Sequence, residues 1–185
     1  MDYSTVIALD AMGGDNAPGE IVKGAVDAVN ERNDIRIQLY GDKDSVEAEL
    51  QKYTYHAEQI AVIHTTEEIS CDESPAAAIK KKKDSSLVRA LRAVKDGECD
   101  AVISAGSSGA VLVGGQVIVG KCKGVKRAPL APVMPTEKGI SLLIDCGANV
   151  DARPEHLVQF AQMGSIYMEH VMGIPNPKVA IVNIG

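Results

Sequence analysis

The chain has 185 residues and a formal net charge of −6, and its composition is 45% hydrophobic, 24% charged and only 3% aromatic. That length suffices for one domain with a sizeable core, built of aliphatic side chains because the sequence has no Trp and one Phe. The negative charge and the scarcity of aromatic side chains argue against a nucleic-acid-binding protein, which uses cationic grooves and stacking platforms.

Short apolar stretches alternate with helical patterns through the first two thirds of the chain. The helices are predicted from apolar residues at helical spacing, from Pro in a first turn and from serines at helix starts. The predicted elements are, in chain order, a strand at 5–9, a helix at 18–29, a strand at 35–40, a helix at 43–52, a strand at 60–63, helices capped at Ser74 and at 84–86, a strand at 101–103 and a helix at 109–120.

The last third of the chain has a different pattern. Residues 130–134 and 140–144 flank a turn and predict a hairpin. A helix is expected from Pro154 to about Met172, and a last strand at 179–182. These elements predict an α/β fold of the three-layer α/β/α, Rossmann-like type with a mixed, mostly parallel sheet. A doubly wound sheet would continue into another helix, so we interpret residues 1–185 as one domain and as the amino-terminal portion of a longer enzyme.

Three predicted strands run directly into loops of glycines and small polar residues. We call residues 10–15 the first glycine loop, residues 104–109 the second and residues 145–151 the third. Because ligands bind in open α/β sheets at the carboxyl ends of the strands, the three loops are expected to converge on one site. Exposed backbone N–H groups and hydroxyls suit an anionic ligand, phosphate above all.

The common fingerprints of nucleotide sites and catalytic triads do not occur in these loops. There is neither a G-x-G-x-x-G nor a Gly-Lys-Ser/Thr sequence. The histidines lie in or beside predicted helices and strands, which disfavours a Ser-His-Asp triad. Gly13-Gly14 also fits a simple tight turn, so the first glycine loop is weaker evidence than the second. Nothing fixes a metal geometry, and we expect neither a metal nor a cofactor.

The remaining features concern cellular context and partners. No signal peptide or membrane-length apolar run, of about 18 to 20 residues, is visible, so a cytoplasmic location is expected. The four cysteines match no zinc spacing and are interpreted as reduced thiols. Two basic clusters, at 80–92 and 121–127, are either solvated surface or docking patches for an acidic partner.

Six motifs in a fixed order resemble the phosphate acyltransferase family of bacterial phospholipid synthesis, the PlsX type. They are ALDAMGGDNAPGEIVKGA (8–25), KKKDSSLVRAL (81–91), SAGSSGA (104–110), PTEKG (135–139), DCGANVDARPEHLVQFAQMG (145–164) and VNIG (182–185). The chain departs from the family at Ser107-Ser108, where Asn-Thr is usual, and at Cys146, where Val is usual. Both changes keep the side chains small.

The resemblance implies an acyl transfer without a cofactor. A long-chain acyl group passes from acyl carrier protein to inorganic phosphate, and the acyl phosphate serves phospholipid synthesis. The resemblance also implies a fold like that of the isocitrate and isopropylmalate dehydrogenase group, a homodimer, and peripheral association with the inner face of the membrane or with a membrane acyltransferase. The alternatives are a phosphate acetyltransferase-like enzyme that uses acetyl-CoA and a non-catalytic scaffold that binds the carrier protein.

For this reaction, small polar residues of the three loops are the candidate site. Catalytic roles are expected for Ser107, Asn149 and Asn183. Phosphate or substrate binding is expected for Asp10, Gly13, Gly14, Ser104, Gly106, Ser108, Gly109 and Asp145. Contact with the carrier protein is expected for Lys81, Lys82, Lys83 and Arg89.

Overall fold

The computed structural model describes residues 3–183, and these fall into two compact units. One unit ends at Gly120 and the other begins at Lys121. That residues 1–185 form a single domain stays a prediction. No helix within residues 3–183 is both long and apolar enough to cross a lipid bilayer.

The first unit is built on a parallel sheet of four strands. In chain order these are β1 (Thr5–Asp10), β2 (Ile35–Gly41), β3 (Ile60–His64) and β4 (Ala101–Ile103), and their spatial order is β3-β2-β1-β4. Every adjacent pair is parallel. The order places β4 beside β1, although 90 residues of sequence and four α-helices separate them, so the loops that follow β1 and β4 emerge side by side.

Helices cover both faces of this sheet. Their bounds are α1 (Gly19–Glu31), α2 (Lys43–Leu50), α3 (Pro75–Lys81), α4 (Ser86–Lys95) and α5 (Ser108–Gly114), which continues as a π-helical turn, Gly115–Val119. A short 3-10 turn, Ala57–Gln59, precedes β3. The helices predicted from the sequence in this unit are therefore confirmed. The change of helical pitch after Gly114 gave no signal in the apolar periodicity.

Successive residues of β1 point to opposite faces of the sheet and join different cores. Leu9 packs with Val22 and Val29 of α1, and Val46 of α2 belongs to the same cluster. Its neighbour Ala8 packs on the other face with the α4 side chains. This alternation is the geometry of a strand buried on both sides, and it makes the first unit a three-layer α/β/α arrangement.

The second unit contains a hairpin and one long helix. Strands β5 (Val133–Thr136) and β6 (Gly139–Leu142) pair antiparallel, and α6 runs over Pro154–His170. The predicted hairpin is confirmed, but the mixed sheet is wrong for the described residues, because β5 and β6 form a two-stranded sheet of their own. Pro135 lies in β5, which is an edge strand of this small sheet, as expected for a residue without an N–H group.

The strand predicted at 179–182 is also wrong. These residues are described without regular secondary structure, and Val179, Ile181 and Val182 are 58%, 70% and 89% exposed. A parallel strand receives its backbone hydrogen bonds from neighbouring strands, and no described strand pairs with this segment. The apolar run therefore had the right composition for a strand but lacks the partner that would make it one.

Candidate functional site

The first and second glycine loops meet at the carboxyl ends of β1 and β4. Ser104 Oγ donates a hydrogen bond of 2.7 Å to Asp10 Oδ2, across 94 residues of sequence. The backbone N–H of Gly106 donates to Ser104 Oγ at 3.1 Å, and the N–H of Met12 donates to Asp10 Oδ1 at 3.3 Å. The predicted convergence of these two loops is confirmed, and its cause is the adjacency of β1 and β4.

The two glycines of the first loop allow it to lie directly on the second loop. A Cβ atom on Gly13 would lie 2.5 Å from Asp10 Oδ2 and 2.9 Å from both Gly106 N and Ser104 Oγ, so no larger residue fits. Gly14 has a φ of +105° and its Cβ position lies 3.0 Å from the carbonyl oxygen of Ala105. Glycine is required at both positions, by space at the first and by backbone conformation at the second.

The second glycine loop leads into α5 through a capping serine. The Ser107 hydroxyl oxygen accepts a hydrogen bond from the Ala110 N–H at 3.3 Å, so Ser107 is the N-cap of α5. Ser108 is exposed at the first position of the helix. A Cβ on Gly109 would lie 2.8 Å from Cγ of Pro75, so this glycine permits close packing of α5 on α3. That packing role was not foreseen from the sequence.

The polar groups of the two loops differ in what they still offer to a ligand. Asp10 is only 3% exposed, and both its oxygens accept hydrogen bonds. The Ser104 hydroxyl proton and the Gly106 N–H are engaged within the chain, whereas Ser107 uses its oxygen as an acceptor and keeps its proton for donation. Within residues 3–183, no group of three or more His, Cys, Asp or Glu side chains is arranged to hold a metal ion.

The third glycine loop lies in the second unit, and its polar residues brace the loop itself. Asp145 Oδ1 accepts from the Leu130 N–H at 2.6 Å, and Asp145 Oδ2 accepts from the Asn149 N–H at 2.7 Å. The Asn149 amide Nδ2 donates to the Ala128 carbonyl at 3.1 Å. The meeting of this loop with the first two stays a prediction, as does the role of Asn183 in the irregular segment before the chain end.

The basic cluster around α3 and α4 divides into anchored and exposed residues. Lys82 donates to the Glu73 carboxylate at 2.6 Å and to the Glu68 carbonyl at 2.7 Å. Arg89 pairs with Asp84 at 2.6 Å. The hydrogen bond from Lys82 lowers the pKa of Glu73, and those from Thr66 and then Arg89 lower the pKa of Asp84.

Lys81 and Lys83, by contrast, are exposed to solvent. A partner would meet these two ammonium groups directly, whereas Lys82 and Arg89 are already engaged in ion pairs of the fold. The run of four lysines in the sequence gave no sign of this division, because the acceptors come from segments outside the run.

The described residues adopt an α/β fold with a mostly parallel sheet and flanking helices, and solved structures share it. A phosphotransacetylase from Streptococcus pyogenes superposes with a TM-score of 0.65 at 16% sequence identity, covering 92% of this chain and 55% of that one. At this level of identity the likeness establishes the fold class.

Sequence comparison gives the family. Residues 5–185 match the family described as "Fatty acid synthesis protein", and the chain belongs to it. Relatives named "Phosphate acyltransferase" are 54% identical over 179 residues in Clostridium perfringens, 52% over 179 in Alkaliphilus oremlandii and 51% over 180 in Clostridium kluyveri. Each alignment covers 97% of this chain but 53% or 54% of the relative. The chain thus spans about half the length of the curated relatives it matches.

Proposed function

We propose that the protein transfers a long-chain fatty acyl group from acyl carrier protein to inorganic phosphate and so produces acyl phosphate for phospholipid synthesis. The observation that carries the proposal is the meeting of two glycine loops where β1 and β4 end, an edge suited to an anion. Relatives named phosphate acyltransferase, at 51% to 54% identity, support the choice of reaction.

The reaction demands little acid–base chemistry from the protein. A phosphate oxygen attacks the thioester carbonyl carbon, the carbon–sulfur bond breaks, and the sulfur leaves as a thiolate that takes up a proton. Phosphate is already partly dianionic near pH 7, and a thiol with a pKa of about 8.5 is a good leaving group. Catalysis then rests on positioning the phosphate and on donors that stabilise the tetrahedral oxyanion.

The donors proposed for phosphate and oxyanion come from the glycine loops. Ser107 keeps a hydroxyl proton beside the N-terminus of α5, and Ser108 offers a second, exposed hydroxyl. Asn149 and Asn183 supply amide groups from the third loop and from the segment near the chain end. Gly13 and Gly14 form the wall of the site beside Ser104 and Gly106, as supported by their close contacts.

The finer parts of the proposal concern partners and context. The carrier protein docks against the exposed ammonium groups of Lys81 and Lys83, with Lys82 and Arg89 held behind them by ion pairs. The enzyme is a cytoplasmic homodimer that associates peripherally with the membrane or a membrane acyltransferase. Its complete fold belongs to the isocitrate and isopropylmalate dehydrogenase-like group.

The test is acyl phosphate formation by the full-length protein from palmitoyl carrier protein and phosphate. We expect turnover in the wild type and a loss of about 10- to 100-fold in Ser107→Ala, because one preorganised donor is removed. Asn149→Ala is expected to lose activity as well, because the third glycine loop loses the bonds from the Asn149 amide to the Ala128 carbonyl and to Asp145 Oδ2. Because Ser107→Ala also removes a helix cap, the matched control is Ser85→Ala, which removes the N-cap serine of α4.

Ser85→Ala is expected to lower stability by about 1 kcal/mol and to retain turnover. Equal losses of turnover in Ser85→Ala and Ser107→Ala would assign Ser107 a capping role only. Wild-type turnover with acetyl-CoA but not with the carrier thioester would replace the proposal with a phosphate acetyltransferase. Absence of turnover with both substrates would leave the non-catalytic scaffold.

A further inference from the structure

Asp10 has surroundings that do not suit a phosphate ligand. Its carboxylate is 3% exposed, and a carboxylate in contact with phosphate would repel it unless one of the two were protonated. Both oxygens already accept hydrogen bonds, one from the Met12 N–H and one from the Ser104 hydroxyl. A role for Asp10 in phosphate binding must therefore act through other groups.

The hydrogen bonds from Gly106 to Asp10 run in one direction. The Gly106 N–H donates to Ser104 Oγ, and the Ser104 hydroxyl donates its only proton to Asp10 Oδ2. The carboxylate accepts and does not donate, so it fixes the rotation of the Ser104 hydroxyl and turns an oxygen lone pair toward the Gly106 N–H. We call this series the Asp10–Ser104–Gly106 chain.

The Asp10–Ser104–Gly106 chain begins where the backbone pairing of β1 and β4 stops. The last residue pair of that ladder is Leu9 with Ile103. The side-chain bond between Asp10 and Ser104 ties the next position, at the start of the second glycine loop. The path of the loop away from the sheet is therefore fixed by this bond rather than by strand pairing.

Gly13 packs against the Asp10–Ser104–Gly106 chain. It is buried, and its Cβ position would lie within 2.9 Å of one atom of each member of the chain. Exclusion of water by the Gly13 backbone places the hydrogen bonds in surroundings of lower dielectric constant, where they are stronger. The first glycine loop thereby clamps the second.

We propose that Asp10 is a positioning residue, which holds the second glycine loop in its phosphate-binding conformation through Ser104 and does not itself contact phosphate. The proposal rests on the proposed function, which assigns phosphate to that loop. It reassigns Ser104 and Gly106 from ligands of phosphate to parts of the support.

The test is a double-mutant cycle on the full-length protein with Asp10→Asn, Ser104→Ala and the double variant. The two readouts are the dissociation constant of inorganic phosphate by calorimetry and the KM for phosphate in acyl phosphate formation. Asp42→Asn is the matched control, because Asp42 also accepts from a serine hydroxyl, that of Ser45, at the end of the neighbouring strand β2. Thermal unfolding of each variant confirms that it is folded.

We expect phosphate binding to weaken by about 10- to 100-fold in each single variant, because a small displacement of a positioned group costs that much. The double variant is expected to lose no more than the worse single variant, since both substitutions break one series of bonds. Asp42→Asn and Ser104→Thr, which keeps a hydroxyl, are expected to stay within about threefold of the wild type.

Losses that multiply in the double variant would overturn the proposal, because Asp10 and Ser104 would then contact phosphate independently. Unchanged or tighter binding in Asp10→Asn would overturn it as well, since removal of a charge that merely repels phosphate gives that sign. If the wild type binds phosphate and the variants weaken that binding as expected, but no acyl phosphate forms, the positioning role is retained and the proposed reaction is rejected. A wild type that binds no phosphate and forms no acyl phosphate would reject both.

A second measurement covers the case in which Asp10→Asn fails to fold. Hydrogen exchange of the Gly106 amide is measured in the wild type, Ser104→Ala and Ser104→Thr. We expect faster exchange together with weaker phosphate binding in Ser104→Ala, and recovery of both in Ser104→Thr. Faster exchange with unchanged phosphate affinity in Ser104→Ala would show that the support does not govern binding.

Discussion

The backbone at Gly13 leaves no room for even one methyl group. A Cβ there would lie 2.5 Å from Asp10 Oδ2, so Gly13→Ala must break the Asp10–Ser104 bond or move the first glycine loop. We expect the phosphate KM to rise at least about tenfold and the protein to lose about 1–3 kcal/mol of stability, as for other overpacked sites.

Gly24→Ala is the matched control for Gly13→Ala. Gly24 lies within α1 and its Cβ position has no atom within 4 Å, so the substitution is expected to stabilise the helix by about 0.5–1 kcal/mol and to leave the KM unchanged. Steady-state kinetics and urea unfolding give both quantities. An unchanged phosphate KM in folded Gly13→Ala would mean that the loop contact is not needed for binding.

Cys99 differs chemically from the other three cysteines. It is 4% exposed, and burial is the main cause that raises the pKa of its thiol. Burial likewise raises the pKa of Tyr40, whose hydroxyl lies beside Cys99. Cys71, Cys122 and Cys146 are exposed. A thiol that is both buried and protonated is unreactive, since the thiolate is the nucleophile.

Treatment of the folded protein with iodoacetamide near pH 8 is therefore expected to alkylate Cys71, Cys122 and Cys146 and to spare Cys99. Mass spectrometry with and without denaturant measures the difference, and the denatured protein is the control in which all four thiols react. Cys99 packs with Ala8 of β1 and Ala90 of α4. Equal alkylation rates at Cys99 and Cys71 in the folded protein would contradict this packing.

At the scale of elements, α4 is held by the apolar face that it shares with α3 and α5. Leu91 is 1% exposed and packs with Ile79 and Val88. A Cβ on Gly114 would lie 2.4 Å from Leu91 Cδ1, so α5 approaches α4 closely at this point. The side chain of Leu91 therefore fills the space between the helices that support the second glycine loop.

Leu91→Ala is expected to destabilise the first unit by about 2–5 kcal/mol through lost burial and a residual cavity. Arg92→Ala is the control. Arg92 is next to Leu91 in sequence but its side chain is exposed, so its loss is expected to change stability by about 0.5 kcal/mol or less. Urea unfolding followed by circular dichroism measures both. Similar stabilities of the two variants would contradict the close packing of α4 and α5.

The elements of the first unit could be predicted because their signals are local. Apolar residues at helical spacing predicted α1. A capping serine predicted the start of α4, and in the structure Ser85 Oγ accepts a hydrogen bond from the Val88 N–H. Residues 179–182 show the limit of such signals, since an apolar β-branched run becomes a strand only beside another strand. The mixed sheet failed for the same reason, because a hairpin pattern does not specify which sheet it joins.

At the scale of the whole molecule, the net charge of −6 on residues 1–185 opposes the proposed association with an acidic carrier protein. In the docking proposal, the exposed Lys81 and Lys83 therefore act as a local electrostatic contact. Because the Debye length is about 10 Å at 0.1 M salt, we expect carrier affinity to fall as the salt concentration rises.

Replacement of Lys81 and Lys83 by Glu is expected to weaken carrier binding about tenfold or more at low salt. The control is the double variant Lys23→Glu/Lys43→Glu, which reverses one charge on α1 and one on α2 with the same change in net charge. Surface plasmon resonance at low and high salt measures the affinities. Carrier affinity that changes neither with salt concentration nor with the charges of Lys81 and Lys83 would contradict the docking proposal without affecting the proposed acyl transfer.

The sequence by itself determined the class of fold, the helices and strands of the first unit, the hairpin and the family motifs. These follow from periodicity, capping and residue order, which are written within a few positions of each other. The tertiary structure decided which polar groups meet. Asp10 and Ser104 are 94 residues apart, and only the strand order β3-β2-β1-β4 brings them to 2.7 Å.

The tertiary structure also separated residues that look alike in sequence. Gly13 lies against the polar groups of Asp10, Ser104 and Gly106, whereas Gly109 packs on Pro75, although the sequence predicted phosphate or substrate binding for both glycines. Lys82 is anchored by Glu73 while its neighbours Lys81 and Lys83 are exposed. Such differences depend on the surroundings that distant segments provide, and a local pattern carries no record of those surroundings.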